Sequence, residues 1–251
     1  VSRLVLVTGA TAGFGLAIAR RFAAGGARVI AAGRRAERLA ALEAELGAGR
    51  CLPLVLDVRD RAAVADAFDA LPAAWAGIDV LVNNAGLARG LNAAPEADLD
   101  DWDEMVDTNV KGLMYMTRAA LPGMVARGRG HIVNIGSTAG EWPYPGGNVY
   151  GASKAFVRQF SLNLRADLFG TPLRVTDIEP GLVGGTEFSA VRFHGDAARA
   201  ASMYAGAEPL TPEDVAEAVH WVSSLPPRVN INTLQMMPVG QSFAPLRVHR
   251  E

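Results

Sequence analysis

Tyr150 and Lys154 stand four residues apart, and lysine is scarce enough to make that spacing informative: of 24 Lys and Arg residues, only Lys111 and Lys154 are lysines. Positions i and i+4 of a helix share a face. An ammonium beside a phenol favours the phenolate and draws its pKa down from about 10, which makes Tyr150 a candidate general acid and base. Ser137 lies upstream and can hold an oxygen on which charge develops. Asn109 falls inside a helical stretch, where its amide is expected to support a water chain to Lys154. Together these groups suit proton transfer to a carbonyl oxygen as hydride arrives, or from an alcohol as hydride leaves.

Such chemistry needs a hydride carrier, and the chain opens on a place for one. Thr8-Gly9-Ala10-Thr11-Ala12-Gly13-Phe14-Gly15 directly follows an apolar run and precedes a helical pattern. Glycines there let the backbone turn tightly and approach a pyrophosphate, which then meets free N–H groups at the helix start. The next strand-like run decides which dinucleotide is expected. An NAD site usually carries an acid near that strand's end; this chain reads Ala31-Ala32-Gly33-Arg34-Arg35. Arg34 and Arg35 can meet a 2′-phosphate with charge-assisted hydrogen bonds, so NADP is the expected cofactor. Asp57, after the third strand, is placed on the adenine side.

The elements that must position these residues alternate. Strand-like runs at 4–7, 29–32, 52–56 and 78–82 are separated by helical patterns at 15–24, 37–46 and 62–71. A long helical stretch at 102–127 follows, then a strand at 131–135, a helix at 150–169, and strands at 173–178 and 234–237. This rhythm predicts an α/β fold: a Rossmann-like, doubly wound parallel sheet with helices on both faces, in one domain spanning 1–251. Thr211, Pro212 and Asp214 predict a helix start with a capping box. Residues 184–208 break the pattern and are expected to form a substrate lid.

Bulk properties narrow the function classes. A chain of 251 residues, 50% hydrophobic, suits a sizeable core, and a net charge of -2 gives no reason to expect nucleic acid or an anionic membrane as partner. The single cysteine, Cys51, lies in an apolar run and reads as a buried thiol. The four histidines are scattered, so no metal site is expected. The opening apolar run is too short for a signal or a span, and a cytoplasmic protein is the expectation.

Taken together, the turn at 8–15, Asn83-Asn84-Ala85-Gly86, Asn109, Ser137 and Tyr150-x3-Lys154 resemble the short-chain dehydrogenase/reductase family over essentially the whole chain. The strings at 135–140, 146–165 and 177–189 are most similar to its bacterial NADP-dependent 3-hydroxy acid dehydrogenases. The resemblance implies a catalytic tetrad of Asn109, Ser137, Tyr150 and Lys154. It also implies cofactor contacts at Thr8, Gly9, Thr11, Ala12, Gly13, Phe14, Gly15, Arg34, Arg35, Asp57, Val58, Asn84, Ala85, Gly86, Tyr150, Lys154, Pro180, Gly181, Val183 and Thr186. The implied substrates are small hydroxy or oxo acids, and the implied assembly is a homotetramer. Ser137 and Tyr150 would hold the reacting oxygen, and Arg192, in the lid, is the candidate for the carboxylate. The apolar helix at 156–169 and the stretch 236–249 are the expected subunit contacts. Reduction of 3-oxoacyl groups, steroids or sugars stays open as an alternative, as does a non-catalytic NADP-sensing protein.

Overall fold

The computed structural model describes residues 3–243. Seven parallel strands form one sheet: β1 (Leu4–Thr8), β2 (Arg28–Gly33), β3 (Cys51–Val55), β4 (Val80–Asn83), β5 (His131–Ile135), β6 (Arg174–Pro180) and β7 (Thr233–Met236), in the order β3-β2-β1-β4-β5-β6-β7. The order reverses between β1 and β4, which is where open α/β sheets bind ligands, at the carboxyl ends of the strands. The central strands are apolar on both faces because helices cover both: Val5, Leu6 and Val7 are fully buried.

On one face lie α1 (Gly13–Ala24), α2 (Ala36–Leu46) and α9 (Pro212–Ser224), whose Ile18, Leu39 and Val219 meet Val5 and Val29. The other face carries α3 (Arg61–Asp69), α4 (Leu99–Val106), α5 (Leu113–Arg127) and α6 (Asn148–Asp167), with Val64, Met116 and Leu164 against Leu6 and Ile132. The capping box at the start of α9 forms as expected: the Thr211 hydroxyl accepts from the Asp214 amide while Asp214 accepts from the Thr211 amide.

Two expectations change. The single helix foreseen at 102–127 begins at Leu99 and is interrupted by a π-helical turn, Asp107–Gly112, between α4 and α5. That wider turn holds Asn109, and such turns gather at functional sites. The segment 184–208 contains two short helices, α7 (Phe188–Arg192) and α8 (Ala197–Ser202). Its base is pinched shut: Val183 and Leu210 form a bridge, with Gly184 N–H donating to Leu210 O at 2.8 Å. Of the expected subunit contacts, residues 244–249 lie outside the described residues. On α6, Val157, Leu164 and Leu168 turn inward, whereas Phe156 and Phe160 stack half-buried with centroids 5.5 Å apart.

Candidate active site

The carboxyl ends of the strands open into a cleft of about 350 Å³. Its first wall is the glycine turn. Gly9 has φ +68°, and a Cβ on Gly15 would lie 2.3 Å from Gly9 O, so the turn closes too tightly for side chains. No side chain caps α1 and no acid stands in its first turn. The first amides of that helix are therefore available to an anion lying across the turn.

At the adjacent rim stand Arg34 and Arg35. Arg34 is exposed and pairs with no carboxylate among the described residues. Arg35 donates twice to the Thr11 hydroxyl (3.0 and 2.8 Å) and once to Glu187 at 2.8 Å. Arg38 also holds Glu187, at 2.8 Å. Both arginines keep the Glu187 carboxyl below its usual range. Asp57 is bound by Arg59, chiefly through their side-chain hydrogen bonds, which likewise hold its carboxyl low.

The far wall carries the candidate proton-transfer groups. Tyr150 sits in the first turn of α6, and Lys154 follows one turn later, its Nζ 5.9 Å from the phenol ring centroid. Lys154 Nζ donates to Ile135 O at 2.7 Å. Ser137 hydrogen-bonds Tyr150, and its hydroxyl also reaches Pro180 O at 3.4 Å. The Asn109 amide is fully engaged, accepting from Leu87 N at 2.9 Å and donating to Leu87 O at 2.8 Å and Ser153 Oγ at 3.0 Å. It therefore fastens the segment after β4 to α6, and none of its bonds goes to Lys154.

The electrostatics depart from the sequence expectation. Burial pushes the Tyr150 phenol up to about 12, opposed by the Ser137 hydrogen bond and then by the Arg192 guanidinium. Burial lowers Lys154 to about 8. Desolvation disfavours whichever form is charged, and it is the largest influence on both groups. The cation that lowers the phenol is Arg192, whose guanidinium lies 5.1 Å from the Tyr150 ring centroid. Arg192 is 7% exposed and donates to Tyr144 OH at 2.7 Å, while its Nε has no partner.

Of the residues named from sequence, Gly9, Thr11, Ala12, Gly13, Phe14, Arg34, Arg35, Asp57, Val58, Asn84, Ala85, Gly86, Tyr150, Lys154 and Thr186 line the cleft. Thr8 does not. It is buried, and its hydroxyl accepts from Asn84 N and Ala85 N, tying β1 to the end of β4. Gly15 supports the turn from behind. Pro180, Gly181 and Val183 also stand outside the lining: Pro180 offers its carbonyl to Ser137, Gly181 N–H donates to Met236 O at 2.8 Å, and Val183 enters the core beside α9. Ser137 and Arg192 lie just behind the wall, against Tyr150. Cleft residues that sequence reasoning missed include Arg59, Arg89, Thr108, Glu187, Phe188 and Val191. Glu187 had a usable signal, an acid opening the lid of a chain with two adjacent arginines; the others gave none.

The chain belongs to the short chain dehydrogenase family, whose model matches residues 3–196. Within it, the chain is 68% identical over 247 residues to the NADP-dependent 3-hydroxy acid dehydrogenase of Salmonella typhi, covering 98% of this chain and 99% of that protein. It is 50% identical over 251 residues to the serine 3-dehydrogenase of Rhizobium radiobacter, covering all of both. Among solved structures it resembles a closed form of serine dehydrogenase complexed with NADP+, at TM-score 0.97 and 66% identity over 99% of this chain and 100% of the other. Against serine dehydrogenase from Escherichia coli the TM-score is 0.86, at 61% identity over 96% and 100%. No helix among the described residues is long and apolar enough to cross a membrane.

Proposed function

We propose that this chain is an NADP-dependent oxidoreductase that moves hydride between the cofactor and C3 of a small 3-hydroxy acid, such as serine, allo-threonine or a 3-hydroxypropionate-like compound, or its 3-oxo form. The observation that carries the reading is one cleft with Tyr150 and Lys154 in its far wall and Arg34 and Arg35 at its near rim. The residues present fit the cofactor: an uncapped helix start behind a glycine turn suits a pyrophosphate, and Arg34, exposed and in no salt bridge among the described residues, suits a 2′-phosphate. When bound, the nicotinamide supplies or accepts the hydride.

The protein's own groups handle the proton and the orientation. Tyr150, protonated at neutral pH, gives its hydroxyl proton to the substrate oxygen in reduction and takes it back in oxidation. Ser137 steadies that oxygen with its hydroxyl. Lys154 places a buried positive charge beside the phenol. Asn109 acts by position, holding the segment after β4 against Ser153, next to Lys154.

Arg192 is the proposed carboxylate partner. A buried guanidinium with one neutral partner and a free Nε favours an anion, and its place over Tyr150 and Phe188 puts that anion beside the reacting carbon. Residues 184–208 are proposed to close over this acid, fastened by Glu187 on Arg35 and Arg38. The half-buried, stacked rings of Phe156 and Phe160 on α6 support assembly with further copies, for which a homotetramer is the proposed form.

The test is reduced-nicotinamide absorbance with NADP+ and NAD+ against serine, allo-threonine, 3-hydroxybutyrate and 3-hydroxyisobutyrate. NADP+-dependent turnover of the acids is expected. Silence across the panel, or equal turnover of alcohols that lack a carboxylate, would defeat the substrate assignment.

A further inference from the structure

Two carboxylates stand where a sheet rarely keeps them. Asp177 and Glu179 are each 1% exposed, two positions apart on β6, and so on the same face of the strand. That face turns toward α6, since Val175, two positions earlier, meets Leu164 and Leu168 there. Asp177 lies directly behind the cleft floor: a Cβ on Gly136, which lines the cleft, would sit 2.5 Å from its Oδ1. Gly136 N–H donates to Ile178 O at 2.7 Å, and among the described residues no hydrogen-bond partner stands at either Asp177 oxygen.

Glu179 is better provided. Gln235 of β7 donates to its Oε2 at 3.0 Å, and Arg158 of α6 approaches its Oε1 at 3.5 Å. Arg158 and Gln235 also reach Glu141, at 3.2 and 2.9 Å, at the exposed end of the cluster. One turn before Arg158 is Lys154. The charged groups facing this interior are thus Lys154 and Arg158 on one side, and Asp177, Glu179 and Glu141 on the other. Three carboxylates thus face two cations, and Asp177 is the one with no cation paired to it among the described residues. Burial, and then the Glu179 charge, push the Asp177 carboxyl far above the usual carboxylate range.

We propose that Asp177 and Glu179 hold one proton between them, resident on Asp177, and that this acid pair is a positioning device acting on catalysis through Lys154, whose charge it sets from behind the cleft floor. The catalytic consequence rests on the function proposed above for Lys154; the electrostatic one does not. An ionised Asp177 supports the buried ammonium, and a neutral one releases it. As pH rises, the loss of the Asp177 proton therefore delays the loss of the Lys154 proton.

Because the chain has only two lysines, the charge of Lys154 can be read directly. In protein carrying 13C-lysine, Lys111 gives the signal of an exposed ammonium paired with Asp107, and Lys154 gives the signal titrating near 8. Asp177→Asn keeps the volume and a donor toward Glu179 but cannot ionise. It is expected to lower the Lys154 titration by about one unit. Glu179→Gln removes like-charge repulsion, lets Asp177 ionise earlier, and is expected to leave the Lys154 titration unchanged or raised. The alkaline limb of kcat/KM should follow the same opposed pattern. A Lys154 titration that stays put or rises in Asp177→Asn overturns the proposal, as does an equal fall in both variants. Thermal melts establish that each variant is folded. A chain inactive on hydroxy acids would refute the function while leaving the titration to decide the acid pair.

Discussion

Replacing Arg192 with Met tests substrate recognition, provided its second effect on Tyr150 is cancelled by comparing substrates. The side chain is buried, its one hydrogen-bond partner is the neutral Tyr144 hydroxyl, and its Nε bonds nothing. Three aromatic rings lie 5.1–5.9 Å from its guanidinium but no carboxylate pairs with it among the described residues, so an apolar chain of similar length should leave thermal stability close to that of the parent. Binding is different. A hydrogen bond to a charged group contributes about 1.5–3 kcal/mol, and at 1.4 kcal/mol per decade the loss of one such bond to a carboxylate costs about 10- to 150-fold. The variant also strips Tyr150 of the guanidinium that lowers its pKa, so the pH at which oxidation becomes efficient should move upward for every substrate. The ratio of kcat/KM for 3-hydroxybutyrate to that for its methyl ester removes this shared effect. That ratio should fall by about one to two decades while the melting temperature holds. An unchanged ratio would refute Arg192 as the carboxylate partner, whatever happened to the absolute rates.

Tyr150→Phe removes the acid/base hydroxyl, and turnover should fall by about 10²- to 10⁴-fold with NADP affinity retained; fluorescence titration beside steady-state kinetics would show it, and normal turnover would exclude the role. Arg34→Glu should weaken NADP by about 10- to 100-fold and leave NAD unaffected or improved, because Arg34 is exposed at the rim and forms no salt bridge among the described residues; equal effects on both dinucleotides would place the 2′-phosphate elsewhere. Asp177→Asn should gain stability relative to the parent as pH rises from about 5 to 8. In the parent the folded state keeps a proton that the unfolded chain releases above about 4, so the unfolded state binds fewer protons and stability falls with rising pH until Asp177 ionises in the fold. Melting curves across that range that stay parallel would contradict a neutral buried Asp177.

Much of this site was legible because local rules and global fold agree in it. The turn at 8–15 sits between a run of period-free apolar residues and an amphipathic pattern, so strand, turn and helix could be assigned before any contact was known. Tyr150 and Lys154 share a helix, and helical spacing alone places them together. What stayed hidden depends on contacts between distant segments. Thr8 looks like a phosphate-binding residue in sequence, but only the approach of β4 shows that its hydroxyl is consumed by Asn84 and Ala85. The upward shift of Tyr150 is hidden because sequence gives charge spacing and not burial, and burial is the largest influence at this position. The π-helical turn at Asn109 has no periodic signature, since one additional residue in a turn leaves the apolar pattern on either side almost unchanged.

The arrangement of the lid links the two recognition tasks physically. Glu187 immediately precedes α7 and grips Arg35 and Arg38 at the cofactor rim, while Arg192 ends the same helix against Tyr144 and Tyr150. A single short helix with its backbone bonds made behaves as one body, so seating either end restricts the other. The pinched base at Val183 and Leu210 fixes where that body is hinged, and Arg89 braces its exit by donating to Val191 O at 2.7 Å. Contacts at the adenosine end of the cleft and at the reacting end therefore reach the same five-residue segment, Phe188–Arg192, from opposite sides. On the lid role proposed above, an acid drawn to Arg192 would also bear on Glu187, and arginines turned toward a 2′-phosphate would release it. Coupling of this kind would need no pathway through the core, because one short helix would be biased from both of its ends.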